Sequence, residues 1–152
     1  MKGVRSFIST IHDGKSKAYI YIWVSKVEKL VYVGQTNERN GSFGRGYSHI
    51  QSNGTLRIRC FERVGIDIEM VSDLTLFSYL LPENAEFIST ESAFRLAVEY
   101  LVQSKLYMER KQVYPVFQII SNISTTGHTS NSQVKDIASE IVKDFIDGYI
   151  NT

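Results

Sequence analysis

The sequence lacks several features that mark large classes of protein. It has a single cysteine, Cys60, among 152 residues, which excludes an intramolecular disulfide and a zinc site built from cysteines. No stretch approaches the roughly 20 apolar residues that a membrane-spanning helix needs. The segment Met1–Thr10 has no apolar core of the length found in signal peptides. We therefore expect a cytoplasmic, reducing environment and no membrane partner.

The sequence also has little net charge, +1, but the charge is unevenly distributed along the chain. Residues 1–63 hold 11 Lys and Arg against 4 Asp and Glu, a balance of +7. Residues 64–152 hold 6 against 12, a balance of −6. The basic half favours a polyanionic partner, although packing between two oppositely charged halves would produce the same balance.

Two tyrosine-rich segments form the most informative pattern of the chain. In residues 18–24 aliphatic and aromatic side chains alternate, which is typical of a strand with two different faces, and a second strand follows over residues 30–36. A turn at residues 26–27 would place Tyr21 opposite Tyr32, with both hydroxyls on one face of a hairpin. Because buried phenols need hydrogen-bond partners, this face predicts an exposed binding surface, although tyrosine is also a good strand former.

A cation and an imidazole follow the tyrosine segments closely. After a polar loop, residues 45–50 predict a helix, with Ser42 as a plausible N-cap. Arg45 and His49 are four residues apart and share one face of this helix. Alone, such a pair is typical of a solvated helix face, but behind two tyrosine strands it is a more specific signal.

The segment beyond this helix predicts further helices and one more strand. Residues 50–64 read as two helices joined by a turn, and Ile66–Val71 alternates like a third strand. Residues 90–102 predict a helix in which Glu99 lies within an apolar stretch, where a carboxylate is costly unless a cation meets it. Arg95 lies four residues from both Glu91 and Glu99, so it is a possible ion-pair partner of either.

These motifs resemble the GIY-YIG nuclease family. The matching segments are Tyr19–Tyr21 for the first element and Tyr32–Gly34 for the second, followed by Arg45 and His49 on the next helix. The separation of eleven residues between the two tyrosines is similar to that in phage homing endonucleases of the family. The chain departs from the family at Tyr19, which stands where the first element has its glycine, and in a longer loop before Arg45.

The resemblance, together with the periodicity of the chain, implies an α+β fold of the α/β/α-sandwich type. A small three-stranded antiparallel sheet would be flanked by helices, within a single domain 1–152 whose core spans about 15–122. An extra C-terminal helix is expected over 131–150, because apolar residues recur there at helical spacing. We expect that apolar stripe to pack against the sheet, with a dimer interface as the alternative.

The resemblance also implies an activity, namely metal-dependent hydrolysis of phosphodiester bonds in DNA, most naturally duplex DNA. Glu99 would hold one Mg²⁺ or Mn²⁺, with Glu91 as the alternative ligand, and Arg45 would stabilise charge on the phosphate. Either tyrosine would act as general base with a pKa lowered by nearby cations, and His49 would hydrogen-bond a tyrosine or a phosphate. The implied catalytic residues are Tyr21, Tyr32, Arg45, His49 and Glu99.

Phosphate contacts are expected from further arginines of the basic half and from a polar residue after the Glu99 helix. The expected contacts are Arg39, Arg57, Arg59, Arg63 and Asn122, with Gln118 as the alternative to Asn122. A compact restriction-type enzyme is the more economical role, and a homodimer is one expected assembly. The alternatives are a catalytically inactive nucleic-acid-binding or regulatory module on the same fold, and an α/β interaction protein without nucleic acid.

Overall fold

The structure, a computed structural model, describes residues 17–89 and 93–151 of the chain. Its strands are β1 (Tyr19–Ser25), β2 (Leu30–Thr36), β3 (Thr75–Leu80) and β4 (Gln118–Ile119). Its helices are α1 (Gly41–Ile50), α2 (Thr55–Val64), α3 (Ala85–Ile88), α4 (Ala93–Glu109) and α5 (Ser132–Asn151). Across these ranges no helix has both the length and the apolarity required to cross a bilayer.

The four strands form one mixed sheet in the order β3-β1-β2-β4. The strands β3, β1 and β2 are antiparallel, whereas the two-residue strand β4 runs parallel to β2. The predicted α+β class, a small sheet flanked by helices, is therefore confirmed. The predicted strand count is wrong, because the sheet has four strands and is not wholly antiparallel.

The predicted third strand at Ile66–Val71 is also wrong, because this segment contains a 3₁₀ turn at Ile68–Met70. The Asp67 side chain accepts a hydrogen bond from the Glu69 backbone N–H at 3.0 Å. Local bonding of this kind competes with strand pairing. The third strand is instead β3, which lies five residues beyond Met70.

The hairpin of β1 and β2 pairs two residues away from the predicted register. Its turn spans residues 26–29, so Tyr21 faces Gly34 and Trp23 faces Tyr32. Asp73 holds the turn by accepting hydrogen bonds from the backbone N–H groups of residues 26 and 27. Because side chains alternate with a period of two, a two-residue shift leaves Tyr21 and Tyr32 on the same face, as predicted.

Each face of the sheet is covered by different helices. One face carries the aliphatic residues of β1 and β2 and packs against α4 and α5. The other face carries Tyr21 and Tyr32 and packs against α1 and α2. The helix α1 comes close to β1 at Gly46, where an added Cβ would lie 2.9 Å from the Trp23 ring. A larger side chain at Gly46 would therefore push the helix away from the tyrosine face.

The helix α5 confirms the predicted C-terminal helix, within one or two residues of its expected ends. Its apolar stripe is buried within the chain, and Phe145 packs edge-on against Phe77 of β3 and Phe117. Tyr149 is buried as well, and its hydroxyl donates to the carbonyl oxygen of Pro115 at 2.6 Å. The stripe thus stabilises the fold from the α4 side of the sheet.

Candidate active site

Tyr21 and Tyr32 lie beneath helices, which corrects the prediction of an exposed tyrosine surface. Tyr21 is 2% exposed and Tyr32 is 7% exposed. The sequence pattern alone could not reveal this burial, because the helices that cover the two phenols are separate in the chain from the hairpin. The Tyr21 hydroxyl in particular therefore depends on a protein partner or a ligand rather than on bulk water.

His49 of α1 is the partner of Tyr21. The Tyr21 hydroxyl and His49 Nε2 are 2.5 Å apart, and the His49 ring centre lies 5.4 Å from that of Tyr21. The His49 ring also lies edge-on to Tyr32, with ring centres 5.2 Å apart. The imidazole is therefore wedged between the two phenols, and of the two partners expected for His49 the structure provides a tyrosine.

Burial sets the protonation of this pair. Burial, together with the smaller influence of the nearby Arg45 charge, lowers the pKa of His49 to about 4. At neutral pH the imidazole is therefore uncharged and can accept the proton of the Tyr21 hydroxyl. Burial raises the pKa of Tyr21, as does proximity to Tyr32, and Arg45 only partly opposes the rise. The expected lowering of the tyrosine pKa is thus not found in the protein alone.

Arg45 stands on the exposed side of α1, one turn before His49. Its guanidinium lies near enough to the Tyr21 hydroxyl to oppose the rise in the pKa of Tyr21, and its charge acts in the same direction on Tyr32. Within residues 17–89 and 93–151 it lies in no ion pair with a carboxylate. Arg45 is therefore a solvent-accessible cation at the mouth of the buried tyrosine pair.

The predicted cap residue of this helix has another role. The helix α1 begins at Gly41, after Asn40, earlier than the predicted start at Arg45. Ser42 is fully buried inside the first turn, and its Oγ accepts a hydrogen bond from Ser78 Oγ of β3 at 2.6 Å. The pair fastens the start of α1 to the edge strand and so helps to fix the orientation of Arg45 and His49.

Glu99 of α4 lies within electrostatic range of these groups. We call the five residues the tyrosine cluster: Tyr21, Tyr32, Arg45, His49 and Glu99. The charge of Glu99 raises the pKa of both Tyr21 and Tyr32, and the charge of Arg45 in turn lowers the pKa of Glu99. Burial dominates and raises the pKa of the Glu99 carboxyl to about 7. The carboxylate is therefore destabilised in the protein alone and gains from any cation that binds to it. The alternative ligand Glu91 lies outside the described residues.

Arg95 was expected only as an ion-pair partner, and the structure adds a positioning role. It is buried, and its Nη1 donates to the carbonyl oxygens of Phe87 and Ser89 at 2.6 and 2.8 Å. Its Nε donates to Gln35 Oε1 of β2. Its charge is also the main influence that lowers the pKa of Glu99. The signal for this role in the sequence is an arginine one helical turn before an embedded glutamate, but Gln35 carried no signal.

The arginines expected to contact phosphate differ in their surroundings. Arg57 is held in ion pairs with Asp67 and Glu69, with N–O distances of 3.1 and 3.0 Å, and so its charge is neutralised locally. Arg59 pairs with Glu62 at 2.9 Å, but its charge also lowers the pKa of Tyr32. Arg59 is therefore close to Tyr32, whereas Arg57 stabilises the 3₁₀ turn after α2 through its ion pairs.

The remaining candidates are exposed. Arg39 lies in the loop before α1, and Arg63 lies in the last turn of α2. The side chain of Asn122 is exposed, and it lines a cavity together with Arg63. Gln118, the alternative to Asn122, lies on β4. Arg63 thus shares one cavity with Asn122, and it shares a neighbouring cavity with Gln118.

The donor set of this cluster fits a loosely held hard cation. Across the described ranges, no group of three or more His, Cys, Asp or Glu side chains could enclose a metal ion. One carboxylate, that of Glu99, lies within electrostatic range of both tyrosines. Mg²⁺ commonly binds through one or two carboxylates together with water and phosphate oxygens. The residues present therefore fit a Mg²⁺ that arrives with substrate, and they do not fit a metal enclosed by protein alone.

We compared the chain with models of known protein families, with curated proteins and with solved structures, and none of the three comparisons gave a match.

Proposed function

We propose that this chain is a metal-dependent endonuclease of the GIY-YIG type that hydrolyses phosphodiester bonds in DNA. The observation that carries the proposal is the hydrogen bond of Tyr21 with His49, which lies beside the accessible guanidinium of Arg45. Glu99 lies within electrostatic range of the same tyrosine. Phosphodiester hydrolysis needs an activated water and neutralisation of charge on the phosphate, and these groups can supply both.

The Tyr21–His49 pair can accept the proton of the attacking water by a proton relay, in which His49 is the final acceptor. A phenol with a raised pKa is a poor base on its own. If Tyr21 passes its own proton to the neutral imidazole while it takes one from water, no isolated phenolate has to form. The oxygen of the water then bonds to phosphorus, the bond from phosphorus to the leaving oxygen breaks, and that oxygen takes a proton from solvent.

Arg45 would neutralise the phosphate as negative charge builds up in the transition state. Its side chain is accessible and close enough to Tyr21 to influence its pKa, so a phosphate bound to Arg45 would lie near the base. When bound at Glu99, a divalent cation supplies Lewis-acid stabilisation of the phosphate oxygens. Glu99 would hold that cation and be kept ionised by it. Tyr32, on the other side of the imidazole, would orient water or phosphate.

An inactive nucleic-acid-binding module remains the second candidate. The observation in its favour is the raised pKa of Tyr21, which an active enzyme must overcome through His49 and a bound cation. This candidate predicts DNA binding without metal-dependent cleavage. Cleavage assays therefore separate the two functions directly.

The test is cleavage of supercoiled plasmid, duplex, branched and single-stranded DNA, with Mg²⁺ and with EDTA. We expect Mg²⁺-dependent cleavage by the wild type, and losses of about 100-fold or more in Arg45→Ala, Glu99→Gln and Tyr21→Phe. Wild-type protein that is inert on all four substrates would exclude the enzyme. Cleavage that persists in Glu99→Gln but is lost in Glu91→Gln would move the metal ligand to Glu91.

Two controls match these substitutions chemically. Tyr47→Phe removes a phenol hydroxyl from an exposed position on the same helix as His49. Glu140→Gln neutralises an exposed carboxylate on α5, on the other side of the molecule from the tyrosine face. Both controls should cleave at the wild-type rate, because neither residue belongs to the cluster. A comparable loss in a control would show that the effects of the test variants are not specific to the site.

A further inference from the structure

Two cavities of similar size lie outside the tyrosine cluster, and their linings carry opposite charge. One, of about 740 Å³, lies between β3 and α5; its described lining includes the carboxylates of Glu83, Glu140 and Asp144 and no cation. The other, of about 700 Å³, is lined by residues from the β1–β2 turn, the end of α2 and the end of α4. We call the second cavity the basic groove, and define it by Lys29, Arg63, Tyr107 and Arg110.

The cations of the basic groove are not neutralised by neighbours. In the described parts of the chain, none of the three forms an ion pair with a carboxylate, although Glu28 also lines the groove. The Arg110 guanidinium instead lies over the Tyr107 ring, 3.5 Å from its centre, and donates to the Tyr107 carbonyl oxygen. Stacking of this kind orients a guanidinium without cancelling its charge. The groove is therefore a net positive surface.

Lys29 is held at the rim of this groove in an uncommon backbone conformation. Its φ is 54°, in the left-handed region that non-glycine residues seldom adopt. Its carbonyl oxygen accepts a hydrogen bond from the backbone N–H of Gln118 at 2.7 Å, which ties the turn to β4. The conformation is therefore fixed by pairing on the sheet, and the exposed lysine is presented from a rigid turn.

The basic groove is continuous with the tyrosine cluster along α2. Arg59, whose charge lowers the pKa of Tyr32, lies one helical turn before Arg63 of the groove. An extended polyanion that meets Arg59 near Tyr32 would therefore meet Arg63 next.

A second connection runs along α4. Gln103 lies one turn after Glu99, and its Nε2 donates to the Asn122 carbonyl oxygen at 3.1 Å. Asn122 and Arg63 line a further cavity of about 510 Å³, which shares Ile119 and Ile123 with the basic groove. The buried Gln103 thus joins the helix that carries Glu99 to the segment beside the basic groove.

We infer that the basic groove binds the sugar–phosphate backbone of DNA on one side of the scissile bond, with Lys29 and Arg110 as phosphate contacts beyond Arg63. The inference rests on the proposed function and adds to it the path of the substrate. The positive charge of the groove is complementary to the negative charge of phosphate. Arg59 and Arg63 lie one helical turn apart on α2, which suits contact with a continuous strand. Contacts to phosphate position the nucleic acid and carry no sequence information, so the groove contributes affinity rather than specificity.

The test removes two charges from the groove and two from elsewhere. In the groove variant, Lys29→Asn is combined with Arg110→Gln, because asparagine tolerates the left-handed backbone of residue 29. The control combines Lys135→Gln with Lys143→Gln, which removes two exposed lysines from α5. Dissociation constants for a fluorescent duplex are measured in EDTA over a series of salt concentrations. EDTA keeps cleavage from interfering.

We expect the groove variant to weaken binding by about tenfold or more, and to reduce the slope of log K against log salt by about 2. The control should leave the slope unchanged. A duplex that ends at the cleavage position, and so does not reach the groove, should bind the groove variant and the wild type equally. Thermal unfolding midpoints equal to that of the wild type show that both double variants are folded, and Arg63→Gln alone should reduce the slope by about 1.

The outcomes distinguish this inference from the proposed function. If the wild type cleaves DNA but the groove variants keep the wild-type salt slope, DNA binding by the groove is excluded and the proposed nuclease activity is retained. Equal effects of the groove and control variants would show that only net charge matters, which also excludes the groove. If the wild type neither binds nor cleaves DNA, both the proposed nuclease function and DNA binding by the groove are excluded.

Discussion

The phenol ring of Tyr21 lies over the backbone of Gly34, in the space that a side chain at that position would occupy. A Cβ built on Gly34 would overlap the outer atoms of the ring, including the hydroxyl. Tyr21 is buried and hydrogen-bonded to His49, so the ring cannot simply turn away. The glycine of β2 is therefore the structural condition for the position of the proposed base.

Gly34→Ala should consequently destabilise the fold by about 1–3 kcal/mol, as overpacking of a filled core does, and should abolish cleavage. The free energy of unfolding is measured by urea denaturation. In a Tyr21→Ala background the same substitution should cost much less, because the overlapping ring is gone. Gly127→Ala is the control, since a Cβ at Gly127 would meet no neighbouring atom. Equal costs of Gly34→Ala in the two backgrounds would contradict the proposed overlap.

The parts of the fold that the sequence predicted correctly depend on local periodicity. The alternation of aliphatic and aromatic residues in β1 and the helical spacing of α5 are each visible within a single element of the sequence. The face shared by Tyr21 and Tyr32 was also predicted, because a register error of two residues does not exchange the faces. Among the implied site residues, the structure brings Glu99 within electrostatic range of both tyrosines, although the catalytic roles stay predictions.

The third strand could not be found in this way, because the edge strand β3 carries apolar residues on both faces without regular alternation. Leu76 packs with the tyrosine-side core, whereas Phe77 and Tyr79 pack against the opposite core. A strand with apolar residues on both faces lacks the alternation of polar and apolar residues that marks a half-exposed strand. The segment Ile66–Val71 showed that alternation, but the hydrogen bonds of Asp67 turned it into a 3₁₀ turn.

Arg95 provides a prediction about positioning. Arg95→Met should destabilise the protein by about 2–4 kcal/mol, because the carbonyl oxygens of Phe87 and Ser89 lose a buried donor. Arg39→Met, in an exposed loop, should change stability by less than about 0.5 kcal/mol. Both are measured by urea denaturation. A cost for Arg95→Met as small as that for Arg39→Met would show that these hydrogen bonds contribute little.

When no metal is present, ionisation of the Glu99 carboxyl should lower the free energy of unfolding at alkaline pH. Burial raises the pKa of its carboxyl to about 7 in the folded chain, above the unfolded value near 4.5. Its contribution is therefore fully present below pH 4.5 and is lost as the pH rises through 7. At pH 8 in EDTA, Glu99→Gln should be more stable than the wild type by up to about 3 kcal/mol, relative to their difference at pH 4.5.

A divalent cation should reverse this disadvantage in the wild type alone. Mg²⁺ that binds the ionised carboxylate stabilises the folded state by mass action, so the unfolding midpoint at pH 8 should rise with Mg²⁺ concentration. The midpoint of Glu99→Gln should not rise, whereas Glu140→Gln should respond like the wild type. An equal response of wild type and Glu99→Gln would place the cation elsewhere, even if activity is lost in the variant.

His49 makes the free energy of unfolding depend on pH with the sign opposite to that of Glu99. Its pKa is lowered to about 4 in the folded chain from an ordinary value of 6.5, mainly by burial. The unfolded chain therefore binds a proton that the folded chain does not, and stability is lost as the pH falls from 6.5 towards 4. The loss should reach about 2–3 kcal/mol at pH 4.

The contributions of His49 and Glu99 overlap between pH 4.5 and 6.5 and partly cancel, so the histidine is best measured in a Glu99→Gln background. There, urea denaturation from pH 7.5 to about 4 should show the loss of stability on acidification. Adding His49→Gln should lower stability near neutral pH, because the bond to Tyr21 is altered, and it should flatten the curve. If the two curves run parallel, the pKa of His49 is the same in the folded and unfolded chains, and burial does not hold the imidazole neutral.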